Sequence, residues 1–139
     1  MAVDPPYRRK VRFSDTDRQG HVFHANYFVY FDDALTDFLE AVGWPYEEIV
    51  HRGYDLVLAR AECDFLSPGA FGEVLATRVG VERVGTTSVV FSFEVTEEAG
   101  GRAVAGGREV YVVLDRDTKR PTPVPDFLRE AFAREAAGG

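Results

Sequence analysis

The sequence has a single cysteine, Cys63, among its 139 residues. One cysteine excludes an internal disulfide and a zinc site built from cysteines, and its apolar neighbours indicate a buried structural thiol. No apolar run approaches the roughly 18 residues that span a bilayer, and residues 1–12 lack the apolar segment of a signal peptide. We therefore expect a soluble protein of the cytoplasm.

Positive charge is also scarce, since 16 Lys and Arg face 23 Asp and Glu for a net charge of −7. This balance argues against a protein that coats nucleic acid or an anionic membrane. The sequence contains no nucleophile elbow of the Gly-x-Ser-x-Gly type, no P-loop and no Gly-x-Gly-x-x-Gly. Apolar residues make up 45% of the chain and aromatic residues 13%, which is enough to form a core and excludes a disordered chain.

Hydrophobic spacing and the positions of glycine and proline divide the chain into predicted elements. Apolar residues recur every three to four positions over residues 26–42, which predicts a long helix with aromatic first turns. Alternation from 87 to 96 predicts a strand with one buried face. The other predictions are strands over 7–13, 56–65, 73–83 and 102–114, a short helix over 46–52 and a C-terminal helix over 126–136.

This order of elements predicts an α+β fold in which five antiparallel strands curl around the long helix. A helix with so much apolar surface must be wrapped by other structure. The edges of such a sheet need a partner or a cover, which edge-to-edge association would supply. We therefore expect one domain over residues 1–139 that forms a homo-oligomer.

The densest polar cluster runs from Asp15 to His21, between the first strand and the long helix. Free backbone N–H groups and the helix dipole there favour negative charge and can bind a developing oxyanion. A carboxylate beside such donors suits a nucleophile or general base of acyl transfer, and Gly20 permits a close approach of the backbone to a substrate. Asp15 and Asp17 equally fit an ordinary turn and helix cap.

Two metal-binding interpretations of this cluster are weaker. An EF-hand register that starts at Asp15 puts Asn26 where calcium needs a bidentate glutamate. His21, His24 and Asp17 could bind a transition metal, but no helical spacing sets their geometry. We therefore predict no metal.

Two stretches of the chain, Phe13 to Val22 and His24 to Phe28, resemble the signature of the 4-hydroxybenzoyl-CoA thioesterase family. The match is an Asp-x-Asp-x-x-Gly loop followed by Asn-Tyr at the start of an aromatic helix. Residues 60–68 resemble the family's second strand and residues 83–88 its third-to-fourth strand turn, so the resemblance covers roughly residues 7–115. It implies the hotdog fold, a curved antiparallel sheet around a central helix.

The resemblance also implies an activity, the hydrolysis of an acyl-CoA to a carboxylic acid and free CoA with no further cofactor. By position, Asp17 matches the carboxylate that attacks the thioester carbonyl or activates water, and the backbone N–H of His24 matches the oxyanion donor. The supporting loop residues are then Asp15, Gly20, His21 and Asn26. The CoA-contacting positions hold Thr86, Thr87 and Ser88, with Arg83 nearby, where many relatives have arginine or lysine.

The resemblance leaves other functions open. A carrier protein could replace CoA as the acyl donor, and a hotdog sheet can bind thioesters without hydrolysing them. A hydratase is less consistent, because Gly20-His21-Val22-Phe23 lacks the proline of the Gly-His-Phe-Pro-like segment of such relatives. Asp32 matches a substrate-contacting position of the 4-hydroxybenzoyl branch, but we interpret it as a solvated charge on the helix. The expected assembly is a dimer or a dimer of dimers (a homotetramer), with no nucleic-acid or membrane partner.

Overall fold

The computed structural model describes residues 6–138. In chain order the elements are β1 (Tyr7–Lys10), a 3₁₀ turn (Phe13–Asp15), α1 (Asn26–Ala41), α2 (Tyr46–His51), β2 (Tyr54–Phe65), β3 (Val74–Val84), β4 (Ser88–Glu97), β5 (Ala103–Asp115) and α3 (Asp126–Gly138). All predicted helices and strands are present, with ends that differ by a few residues. The largest difference is β1, which ends at Lys10 instead of Phe13 because Asp15 accepts the Arg12 amide at 2.8 Å and turns the chain.

The five strands form one antiparallel sheet in the order β1-β3-β4-β5-β2. The buried residues of β4 alternate with more exposed ones, so one face of the sheet is the core face. The predicted α+β architecture of a curved sheet around a long helix is therefore confirmed.

Aromatic packing holds α1 in the concave face of the sheet. The Phe31 ring stacks on Phe93 of β4 with centroids 4.4 Å apart, and Phe38 packs edge-on against Phe91 at 5.9 Å. Phe132 of α3 closes the cluster from the far side, 5.4 Å from Phe91. The first residue with a positive φ after α1 is Gly43 (φ +91°), where the predicted helix stop falls.

One strip of the concave face is only partly covered by the described residues. Leu58, Ala61 and Phe65 of β2 are opposite Tyr111, Glu109 and Ala105 of β5, so they share the concave face, yet all three are exposed. Within residues 6–138, β2 is also an edge strand with no neighbour on its other side. This edge is where a second chain could add to the sheet.

Gly107 of β5 is so closely packed that a larger side chain there should destabilise the fold. A Cβ atom there would meet the Glu62 carbonyl oxygen and lie 2.8 Å from Cε2 of Phe31, whereas a Cβ at Gly106 would be 3.7 Å from its nearest neighbour. We expect Gly107→Ala to lower the free energy of unfolding by about 1–3 kcal/mol through overpacking. Urea unfolding should show little change for Gly106→Ala, and equal midpoints for the two variants would contradict this account of the packing.

Candidate active site

The segment between the 3₁₀ turn and α1 is a tight hairpin-like loop. Its two arms are bridged between Thr16 and Val22, and the Asp17 amide donates to the His21 carbonyl at 2.8 Å. Gly20 reverses the chain with a φ of +78°, a conformation that glycine adopts without strain. The Gly20 amide in turn donates to the Asp17 carbonyl at 3.0 Å. Local hydrogen bonds therefore fix the position of Asp17.

The two carboxylate oxygens of Asp17 differ in their surroundings. Oδ1 accepts the amide of Gln19 at 2.9 Å and the amide of His21 at 3.4 Å, as in an Asx turn. Oδ2 accepts no hydrogen bond from residues 6–138. The structure thus contains the turn that composition alone suggests, and it also leaves one oxygen able to meet a substrate or a water molecule.

Asp17 lines a cleft of about 310 Å³ between this loop and the segment that follows β2. One wall carries the predicted His21 and His24. The opposite wall is formed by residues 65–68, which the sequence analysis did not predict as part of the site. The residues that line the cleft are Asp17, Gln19, His21, Val22, His24, Tyr27, Phe65, Leu66, Ser67 and Pro68.

Hydrogen bonds between distant parts of the chain build this second wall. The Val22 amide donates to the Gly69 carbonyl at 2.8 Å, the Gly69 amide donates to the Tyr27 hydroxyl at 3.2 Å, and His21 bridges to Ala70. No local pattern in residues 65–70 signals a site, because their role depends on long-range pairing with the loop. The side chains of Tyr27, Phe65 and Leu66 form the apolar surface of the cleft.

The start of α1 offers an unused backbone donor. The His24 amide donates to no acceptor within residues 6–138, and Ala25 at the N-cap provides no capping side chain. Such an amide, at the positive end of a 16-residue helix, attracts negative charge. The His24 imidazole itself is exposed and lies against Phe23, with ring centroids 4.4 Å apart.

Asp15 does not face the cleft but lies beneath it. Its carboxylate is buried and takes two hydrogen bonds from the Arg9 guanidinium, while its carbonyl oxygen accepts the side-chain amide of Asn26 at 2.8 Å. Burial alone would raise the pKa of the Asp15 carboxyl, but the bonds from Arg9 and from the Arg12 amide outweigh it and hold that pKa below its usual value.

The predicted CoA-contacting residues lie far from Asp17 in one chain. Thr86 and Thr87 lie in the β3–β4 turn and Ser88 begins β4, at the end of the sheet where β2 begins. The cleft adjoins the other end of β2, and β4 with its 10 residues separates the two ends by roughly 30 Å. Arg83 lies beside this turn, so a single chain does not bring these residues to the carboxylate.

Three other sequence interpretations can be compared with the structure. Cys63 is half-buried rather than buried as predicted, and burial together with Asp64 raises the pKa of its thiol to about 11, which suits an inert thiol. Asp32 is exposed on α1, but partial burial together with the charge of Asp33 raises the pKa of its carboxyl, so it is not simply a solvated charge. Within residues 6–138, no group of three or more His, Cys, Asp and Glu side chains is placed to hold a metal ion.

The curved sheet around α1, with this loop at the helix start, defines the hotdog fold. The chain belongs to the thioesterase-like superfamily, whose family model matches residues 11–132. A putative esterase of Aquifex aeolicus is 32% identical over 124 residues (89% of this chain, 97% of that one). An acyl-CoA thioesterase of Helicobacter pylori, YbgC, is 27% identical over 135 residues (91% and 98%).

The solved structures agree with this assignment. A gentisyl-coenzyme A thioesterase superimposes with a TM-score of 0.80 at 29% identity, covering 91% of this chain and 98% of that one. The chain is therefore an enzyme of the thioester hydrolase class. No helix within residues 6–138 is long and apolar enough to cross a membrane.

Proposed function

We propose that this enzyme hydrolyses an acyl-CoA thioester to a carboxylic acid and free CoA in the cleft at Asp17. One observation carries the proposal. A carboxylate with an unused oxygen lines the same cleft as His24, whose backbone N–H at the helix start is also unused. The two groups are the base or nucleophile and the oxyanion donor that acyl transfer requires. The motif that resembles the 4-hydroxybenzoyl-CoA family supports the same roles.

The chemistry then proceeds by one of two routes at the thioester carbonyl. In the first, Asp17 removes a proton from water and the resulting hydroxide attacks the carbonyl carbon. In the second, the carboxylate attacks directly and water hydrolyses the acyl anhydride. In both, the carbonyl oxygen becomes an oxyanion stabilised by the His24 amide, the C–S bond breaks, and the CoA thiolate takes up a proton. Neither route needs a metal or a redox cofactor, and we expect none.

The test is release of free thiol from a panel of short-chain, long-chain and aromatic acyl-CoAs. Tyr27, Phe65 and Leu66 offer the acyl group an apolar wall, and relatives named for gentisyl-CoA and 1,4-dihydroxy-2-naphthoyl-CoA make aromatic thioesters part of the panel. We expect release from at least one of these CoA thioesters, at a rate unchanged by a chelator. If none is hydrolysed while acyl-carrier protein thioesters are, CoA is the wrong donor.

The active assembly in this proposal is a homodimer, alone or within a dimer of dimers, joined through the β2 edges. Antiparallel pairing of two β2 strands reverses the second copy. Residues 86–88 of the second copy would then lie at the Asp17 end of this chain, about three strand spacings or roughly 14 Å across. That arrangement brings the predicted CoA contacts within reach of the thioester, which a single chain does not.

A charge on the partly covered strip tests this assembly. Leu58 and Val57 are neighbours on β2 with similar exposure, 46% and 44%, but opposite directions. We expect Leu58→Lys to leave a folded monomer with little activity, because the concave strip of β2 is covered by the second copy and a buried lysine is costly. Val57→Lys is the matched control. Sedimentation velocity that shows a wild-type monomer would contradict the proposed assembly.

A further inference from the structure

Among the described residues, Arg9 is the only residue of the sheet that forms an ion pair with the stretch from Asp15 to His24, which carries both candidate reacting groups. Its Nε and Nη2 atoms donate to the two oxygens of Asp15 at 3.1 and 2.9 Å. The Asp15 side chain is 10% exposed and that of Arg9 32%. A bidentate pair in this setting fixes angle as well as distance. The pair thereby fixes the position of Asp15 relative to β1.

Asp15 also joins the two halves of the candidate site. Its carbonyl oxygen accepts the Phe23 amide at 2.9 Å and the Asn26 side-chain amide at 2.8 Å. Asp17 follows two residues later on one arm, and His24 follows Phe23 on the other. Asp15 therefore connects the two arms of the loop, one of which carries Asp17 and the other His24.

From this geometry we infer that Arg9 is a positioning residue, which sets the separation between the Asp17 carboxylate and the His24 amide through Asp15. The inference rests on the proposed function of those two groups. Acyl transfer is sensitive to such a separation, because displacement by about 1 Å can cost 10²-fold in rate. Lysine at position 9 would keep the charge that Asp15 needs but lose the bidentate geometry.

The central experiment compares Arg9→Lys with Arg8→Lys. Arg8 lies next to Arg9 on β1 and also pairs with a carboxylate, but its Nε atom alone donates to both Glu98 oxygens at 2.9 Å, and that pair is exposed and outside the loop. We expect Arg9→Lys to lower kcat by about 10- to 100-fold with KM changed less than about twofold. Arg8→Lys should leave both within about twofold, as exposed pairs contribute little.

A purely structural role for Arg9 would alter the urea midpoint but not kcat per folded molecule. A loss of stability in Arg9→Lys with kcat unchanged would therefore overturn the inference. A double-mutant cycle with Arg9→Met and Asp15→Asn provides a second check, because each single variant breaks the same Arg9–Asp15 pair. We expect the double variant to lose no more kcat than Asp15→Asn alone, whereas multiplied losses would show independent roles.

A readout that needs no turnover separates this inference from the proposed function. Backbone amide resonances of Asp17 and His24 should shift in Arg9→Lys and stay in place in Arg8→Lys. If wild type hydrolyses no thioester yet these resonances shift, the proposed function fails and the positioning role stands. If wild type is active and the resonances of Arg9→Lys match those of wild type, the positioning role fails alone.

Discussion

Replacing Asp17 with asparagine is expected to lower kcat for thiol release by about 10²- to 10⁴-fold, the range contributed by a general base. Asparagine is isosteric, and its oxygen can still accept the amides of Gln19 and His21 that fix the loop. What it lacks is the negative charge on the second oxygen. The fold, the urea midpoint and the affinity for CoA should therefore stay close to wild type.

Asp115 provides the matched control for this variant. Its Oδ1 accepts two backbone amides, from Asp117 at 2.9 Å and Thr118 at 3.0 Å, in a turn outside the cleft. If Asp17 were only a turn residue, Asp17→Asn and Asp115→Asn would have the same small effect on activity. We expect a large loss for the first and none for the second, and equal rates would assign Asp17 to the turn alone.

Glu109 is expected to make the enzyme less stable as the pH rises through the mildly acidic range. The side chain is 1% exposed, on the concave face of β5, and burial together with the charge of Asp32 raises its pKa from 4.5 to about 7. The Tyr111 hydroxyl lies 3.5 Å from its Oε1. A raised carboxyl pKa means that the folded state keeps its proton longer than the unfolded state.

The direction and size of the change in the free energy of unfolding follow from the two pKa values of Glu109, 4.5 when unfolded and about 7 when folded. Below pH 4.5 the carboxyl is protonated in both states, and between 4.5 and about 7 the unfolded state loses its proton first. The free energy of unfolding therefore falls across this window by an amount on the order of 3 kcal/mol, and then levels off. Glu109→Gln should remove that decline and leave the variant more stable than wild type at pH 8.

Urea unfolding at pH 5, 6, 7 and 8 measures this difference. Glu94→Gln is the control, because it is the same substitution at an exposed position on β4. Parallel curves for wild type and Glu109→Gln would show that Glu109 is ionised in the folded protein throughout. The comparison isolates Glu109 from Asp15, since the lowered pKa of Asp15 acts at the acid end in all three proteins.

Local features of the chain were predictable from the sequence, because they depend on neighbours. The helix over residues 26–42 and its stop at Gly43 follow from apolar spacing and a glycine, and α1 spans Asn26–Ala41. A loop between the first strand and α1 follows from the polar Asp and Gly pattern of residues 15–21, but its hairpin-like hydrogen bonding does not. The exact end of β1 did not, because the bond from the Arg12 amide to Asp15 overrides the apolar pattern of residues 11–13.

The remainder of the candidate site depends on contacts between distant segments. The second wall of the cleft comes from residues 65–68, which reach Asp17 through the bridge between His21 and Ala70. The Arg9–Asp15 pair likewise could not be predicted from hydrophobic spacing, since an arginine on a short edge strand ordinarily faces solvent. The distance between Asp17 and residues 86–88 follows only from the sheet order.

The most direct test of the account is the time course of thiol and carboxylic acid formation from the acyl-CoA panel, with wild type and Asp17→Asn measured side by side. We expect wild type to release thiol and acid in equal amounts from at least one CoA thioester, and Asp17→Asn to lose at least about 100-fold of that rate. Equal rates for the two proteins, or no release by wild type from any CoA thioester, would contradict acyl-CoA hydrolysis at Asp17.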